Sequence, residues 1–162
     1  MAAGDILKVA ETEFAGSATG QTIREFNKVR ETIFVDVENL AAGADIAARA
    51  FWSPDRACYI KDIRIVWQAA TVGVDGSNTL VVDVANATQS GVVIGTVSRT
   101  ATNSANTSTS LTLTAANCDV AASDVITFAV TQGATADAGI FRIQVTYMAN
   151  AQLGNGAGTV LS

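Results

Sequence analysis

Ile140-Phe141-Arg142-Ile143-Gln144-Val145-Thr146-Tyr147 places Phe141, Ile143, Val145 and Tyr147 on one side of an extended chain and Arg142, Gln144 and Thr146 on the other. A period of two is the mark of a half-buried strand. Tyr59 to Gln68 repeats the pattern, with Ile63, Ile65 and Trp67 sharing a face. Working outward, the same alternation predicts strands over Glu31–Glu38 (Ile33, Val35 and Val37 inward), Thr79–Ala85 (Leu80, Val82, Val84) and Val92–Ser98. It also predicts Thr109–Thr114, with Leu111 and Leu113 inward, and Asp124–Thr131, with Ile126, Phe128 and Val130 inward. Segments 74–78, 87–91 and 132–139 between them hold the Gly, Asn, Asp and Ser residues that tolerate turn backbones. With no amphipathic helices between the strands a parallel α/β sheet is excluded. The expected fold is all-β: an antiparallel β-sandwich of jelly-roll type with seven or eight strands.

The flanks read differently. Gln21 to Arg30 carries Ile23, Phe26 and Arg30 at helical spacing, which predicts a short helix or a loosely ordered arm. Asn39 to Asp55 is rich in Ala and Gly and ends at Trp52-Ser53-Pro54-Asp55, where the one proline punctuates a turn, so it is expected as a connection. From Asn150 onward the chain is glycine-rich and short of apolar bulk, an extended tail unable to fold unaided. This divides the chain into an arm (1–30), a sandwich (31–149) and a tail (150–162).

At 162 residues and a formal charge of −5, the chain is long enough to bury a core without staples, and it repels phosphate backbones and anionic membrane surfaces. From Trp67 to the end there are seven charged residues: Asp75, Asp83, Arg99, Asp119, Asp124, Asp137 and Arg142. So little charge on a protein expected to be soluble points to surface covered by self-association. No apolar run reaches the roughly 18 residues of a spanning helix, and acids at positions 5, 11 and 13 interrupt any Sec-type signal. Nucleic acid and membrane are therefore not expected as partners.

Catalysis is poorly supplied. There is no histidine, so the side chain that most often moves protons near neutral pH is missing, and no Ser-x-x-Lys spacing replaces it. Asp36 with Glu38, and Asp119 with Asp124, are the close acidic pairs in strand-like context; solvated strand faces or turn caps are the plainer reading than glycoside chemistry. Asp75-Gly76-Ser77-Asn78 lacks the alternating acids and distant glutamate of a calcium loop and reads as a hairpin turn. Cys58 and Cys118, 60 positions apart, fit no zinc spacing. They read as two small half-buried thiols; a disulfide between them, contributing about 4 kcal/mol, is the alternative. No enzymatic activity, cofactor, metal or small-molecule substrate is expected.

Seven of the ten aromatics occur by residue 67. Phe128, Phe141 and Tyr147 fall in phase with inward positions and are expected in the core, which argues against a lectin that stacks exposed rings on sugars. Phe14, Phe26, Phe51 and Trp52 lie outside the predicted strands. With Ile23 they are the candidate protein-interface residues, unless they fold back as a cap on the end of the sandwich. Arg24, Lys28 and Arg30 sit among Glu25 and Glu31, and that cluster either pairs internally or meets an acidic partner surface.

Tyr59-Ile60-Lys61-Asp62-Ile63-Arg64-Ile65, Ala121-Ala122-Ser123-Asp124-Val125-Ile126-Thr127 and the closing Ile140 to Tyr147 run resemble the jelly-roll decoration, or cement, proteins of tailed-bacteriophage capsids. The resemblance covers Tyr59 to Met148 and is one of pattern rather than of a unique motif. It implies a homotrimer, made in the host bacterial cytoplasm, that sits on the virion surface and bridges major capsid protein subunits, often through terminal arms. The runner-up expectations are a jelly-roll capsid or head-fibre base protein and a carbohydrate-binding module.

Overall fold

The computed structural model describes residues 28–150. Its frame is the antiparallel pairing of β3 (Cys58–Trp67) with β10 (Phe141–Asn150), in which Phe141 stands opposite Trp67, Ile143 opposite Ile65 and Val145 opposite Ile63. These inward rows are fully buried, and the Phe141 and Trp67 rings meet at 5.3 Å between centroids. Between Thr146 and Tyr147 the register jumps from Asp62 to Ile60, so Lys61 is an extra residue on β3. Such a bulge bends a strand and re-aims its side chains; here it keeps both Ile60 and Ile63 inside and leaves Lys61 outside.

Around this pair, β1 (Lys28–Val37) lies beyond β10, and β6 (Thr107–Ser110) beyond β3, giving the order β1-β10-β3-β6. The second sheet runs β2-β9-β4-β5-β7, from β2 (Ile46–Trp52), β9 (Ile126–Gln132), β4 (Leu80–Asn86), β5 (Val92–Arg99) and the two-residue β7 (Thr112–Leu113). A short β8 (Asp119–Val120), preceded by one turn of 3-10 helix over Ala115–Asn117, pairs with the start of β3. The chain changes sheet at every connection except the β4–β5 hairpin. With β7 and β8 as additions on the way from β6 to β9, the eight principal strands form an antiparallel sandwich of jelly-roll order, in the all-β class expected from the sequence.

Several elements differ from the sequence reading: Lys28–Arg30, expected in a helix or arm, open β1, and β8 is not among the predicted strands. The predicted connection over 39–55 contains a strand, β2, whose Ala47, Ala48, Arg49 and Ala50 are all exposed. An edge strand that buries little has no stripe to read, and register shifts on both sides of Arg49–Ala50 break the phase further. The predicted Thr109–Thr114 strand is two pieces in opposite sheets: β6 pairs with β3, β7 pairs with β5, and the buried Leu111 sits where the chain crosses.

The inter-sheet layer is filled. Trp67, Phe128, Phe141, Ile60, Leu80 and Ile94 are each less than 2% exposed, as are the facing valines Val82 and Val84. Each such side chain contributes about 1.5–3 kcal/mol on burial. The Trp67 indole N–H, which would otherwise be an orphaned donor, reaches Thr109 Oγ1 at 3.0 Å. Among the described residues no helix is long and apolar enough to cross a membrane.

Candidate functional site

Of the acids weighed for chemistry, Asp36 and Asp124 are held by hydrogen-bond donors, while Glu38 and Asp119 are exposed. Asp36, on the outer side of β1, is held by both Nε and Nη2 of Arg142 at 2.7 and 2.9 Å. The guanidinium hydrogen bonds keep its carboxyl below the ordinary aspartate range. Asp124 is buried under the β4–β5 turn, accepting from Asn86 Nδ2 at 2.7 Å, Ala121 N at 3.0 Å and Gln89 Nε2 at 3.2 Å. It ties the turn to the approach of β9, a capping task. Asp75 accepts from the backbone N–H groups of Ser77 and Asn78 at 2.7 and 2.8 Å, which makes the segment a turn as expected, and those bonds lower its pKa. Among the described residues no group of three or more His, Cys, Asp or Glu is arranged to hold a metal ion.

Cys58 and Cys118 are both free and buried. Burial, aided by the Asp124 charge, pushes the Cys58 thiol up to about 11, and burial raises Cys118 as well. A nucleophilic or redox-sensing cysteine needs the opposite shift, toward thiolate.

Of the candidate interface residues, Phe14, Ile23 and Phe26 lie outside the described residues, as do most of the arm and nearly all of the tail. Phe51 and Trp52 end β2 and are half-buried. Phe51 meets Phe128 edge-on at 5.8 Å, and Trp52 lies 4.6 Å from the Tyr147 ring. Both pack against the core. Beside them the Tyr147 hydroxyl and Arg56 Nη2 both donate to the Glu31 carboxylate, joining β10, the β2–β3 connection and β1. Phe128, Phe141 and Tyr147 all face inward as expected.

The outer faces of the two sheets differ in charge. On the second sheet the outward positions of β9, β4 and β5 include Thr127, Ala129, Thr131, Val81, Ala85, Thr96 and Ser98, with Asp83 as the one charge on those three strands' outer side. On the first sheet β1, β10 and β3 enclose an open trough of about 450 Å³. Arg30 and Thr32 form its β1 wall, Gln144 and Thr146 its floor, and Lys61, Asp62 and Arg64 its β3 wall. Arg64 Nε donates to Asp62 at 2.5 Å, and Lys61 Nζ lies over the Tyr59 ring at 4.6 Å from its centroid. Sequence reasoning singled out Arg30 but not Lys61 and Arg64. The signal is weak because the two walls are about 30 residues apart and become neighbours only when the last strand enters between them.

No protein-family model matches the sequence, and no curated protein matches it. Among solved structures the chain is similar to one from Bacillus endospore appendages, which form a novel family of disulfide-linked pili. The identity is 14% over 76% of this chain and 88% of that one, with a TM-score of 0.36. It is also similar to a chain of infectious bursal disease virus, Gx strain, with 10% identity, 78% of this chain, 37% of that chain and a TM-score of 0.29.

Proposed function

We propose that this protein is a non-enzymatic structural module that docks as a trimer on the outer surface of a bacteriophage capsid and braces the shell by bridging major capsid protein subunits. The observation that carries the reading is the filled jelly roll: both inner sheet faces are spent on one another, so what the described domain offers a partner is its outer surface and edges. Of each acidic pair weighed for hydrolysis one member is engaged, Asp36 in an ion pair and Asp124 in a buried latch. Burial holds the two free thiols in their protonated, less reactive form. The sequence resemblance to capsid decoration proteins supplies the setting, and repetition over an icosahedral shell lets modest contacts add.

The test adds the purified full-length chain to shells assembled from the major capsid subunit encoded in the same genome. Expected are co-sedimentation with the shells, a higher shell disassembly temperature, and a solution mass three times the 16.7 kDa of one chain. A chain that stays in the supernatant at saturating shell concentration overturns the docking role, and a monomeric mass overturns the trimer.

A further inference from the structure

We infer that the trough between β1, β10 and β3 is a binding site for a carboxylate-bearing protein segment. Arg30, Lys61 and Arg64 converge there against one acid, Asp62, leaving two positive charges on a protein whose net charge is −5. Among the described residues, Arg30 and Lys61 have no carboxylate within ion-pair distance. Exposed cations spread singly need no explanation. Three on one concave sheet face, on a protein otherwise dominated by acids, form a local field of the opposite sign to their surroundings.

The geometry selects the class of anion. The β1 and β3 walls are two strand spacings apart, about 10 Å, so the trough accepts two carboxylates separated by that distance, one over each wall. Thr32, Thr146 and Gln144 between them can both donate and accept, which suits the peptide groups of a protein segment. A nucleic acid or polyphosphate carries a charge every few ångströms and would present more charges than two net cations match. With a screening length of about 8 Å at physiological salt, the field acts at contact range, which favours a short acidic segment over a long polyanion. The inference deepens the docking role by naming the chemistry of the surface met, and rests on that role only for its biological setting.

The experiment measures fluorescence anisotropy of a labelled octaglutamate peptide with the full-length chain, beside an octaglutamine peptide and an eight-nucleotide oligothymidylate. Expected are salt-sensitive binding of octaglutamate, at least about tenfold weaker binding of the other two probes, and a loss of about tenfold or more in the Arg30→Glu, Lys61→Glu double variant. Both sites are exposed, so the variant's melting temperature should match the parent's and serves as the folding control; Arg30→Gln, Lys61→Gln is the milder substitute if it does not. Equal octaglutamate affinity in parent and folded variant, or tighter binding of the oligothymidylate, overturns the proposal. Shell co-sedimentation is read separately, so failure of the docking role leaves the peptide result interpretable.

Discussion

The Asn86 amide donates to the Asp124 carboxylate at 2.7 Å, with both side chains buried at the end of the sandwich where β4 turns into β5. Asp124 also collects Gln89 and the Ala121 N–H, so one inward acid closes three donors. Replacing it with alanine strands the buried Asn86 amide, while Gln89 and the Ala121 N–H, at exposed residues, can turn to water. Asp124→Ala is expected to destabilise by about 2–3 kcal/mol in urea denaturation, and a loss below about 0.5 kcal/mol, the range of ordinary surface changes, would show that the latch is dispensable.

Tyr147 titrates upward, to about 12 from 10.0, chiefly because burial disfavours the phenolate and also because its proton is engaged by Glu31. Between those values the native state keeps a proton that the unfolded chain has lost. The contribution is therefore complete below pH 10 and declines as pH rises toward 12. Stability measured across that window should fall, and Tyr147→Phe should flatten the fall at a cost near 1 kcal/mol at neutral pH. An unchanged slope in the variant would assign the alkaline loss elsewhere.

The Asp36 carboxyl is shifted the other way by Arg142, so its ion pair supports the fold above the unfolded aspartate pKa and is lost as pH falls through the lower native value. Arg142→Gln should move the Asp36 carboxyl titration upward by NMR with little change in melting temperature, since both partners are exposed. An unmoved titration would mean that Arg142 does not govern it.

The strand frame was legible because Ile63, Ile65 and Trp67, like Phe141, Ile143 and Val145, bury every second residue between two sheets. What escaped was information that local pattern does not contain. β2 shows no alternation because Ala47 to Ala50 are all exposed, and the break at Leu111 depends on where the chain must cross rather than on its own composition. The trough was half legible: Arg30 stood out within a basic cluster, whereas Lys61 faces outward through a bulge invisible without its partner strand.

Buried thiols with raised pKa values react slowly. Under native conditions Cys58 and Cys118 should resist a disulfide reagent such as dithionitrobenzoate, and in denaturant both should react, releasing two equivalents per chain. Rapid native labelling, or a mass showing the two joined, would contradict this.

Gly73 has φ +65°, and a methyl group there would come within 2.1 Å of the Thr135 carbonyl oxygen; Gly91, at φ +71°, faces open space. Both positions disfavour a side chain by about 1–2 kcal/mol through backbone conformation alone. Gly91→Ala should cost about that much and Gly73→Ala clearly more. Equal costs in thermal denaturation would mean that the 71–74 and 133–137 loops separate readily.

The shuttling of the chain from one sheet to the other has a consequence for biosynthesis. β3 emerges from the ribosome early, yet of its neighbours β6 comes some 40 residues later and β10 at the very end of the domain. No contiguous half can assemble on its own, so acquisition of structure waits for the last strand and is slow, in keeping with pairings so distant along the polypeptide. Until β10 has emerged, the strand that pairs with β3 is missing and part of the apolar interior has no partner to cover it.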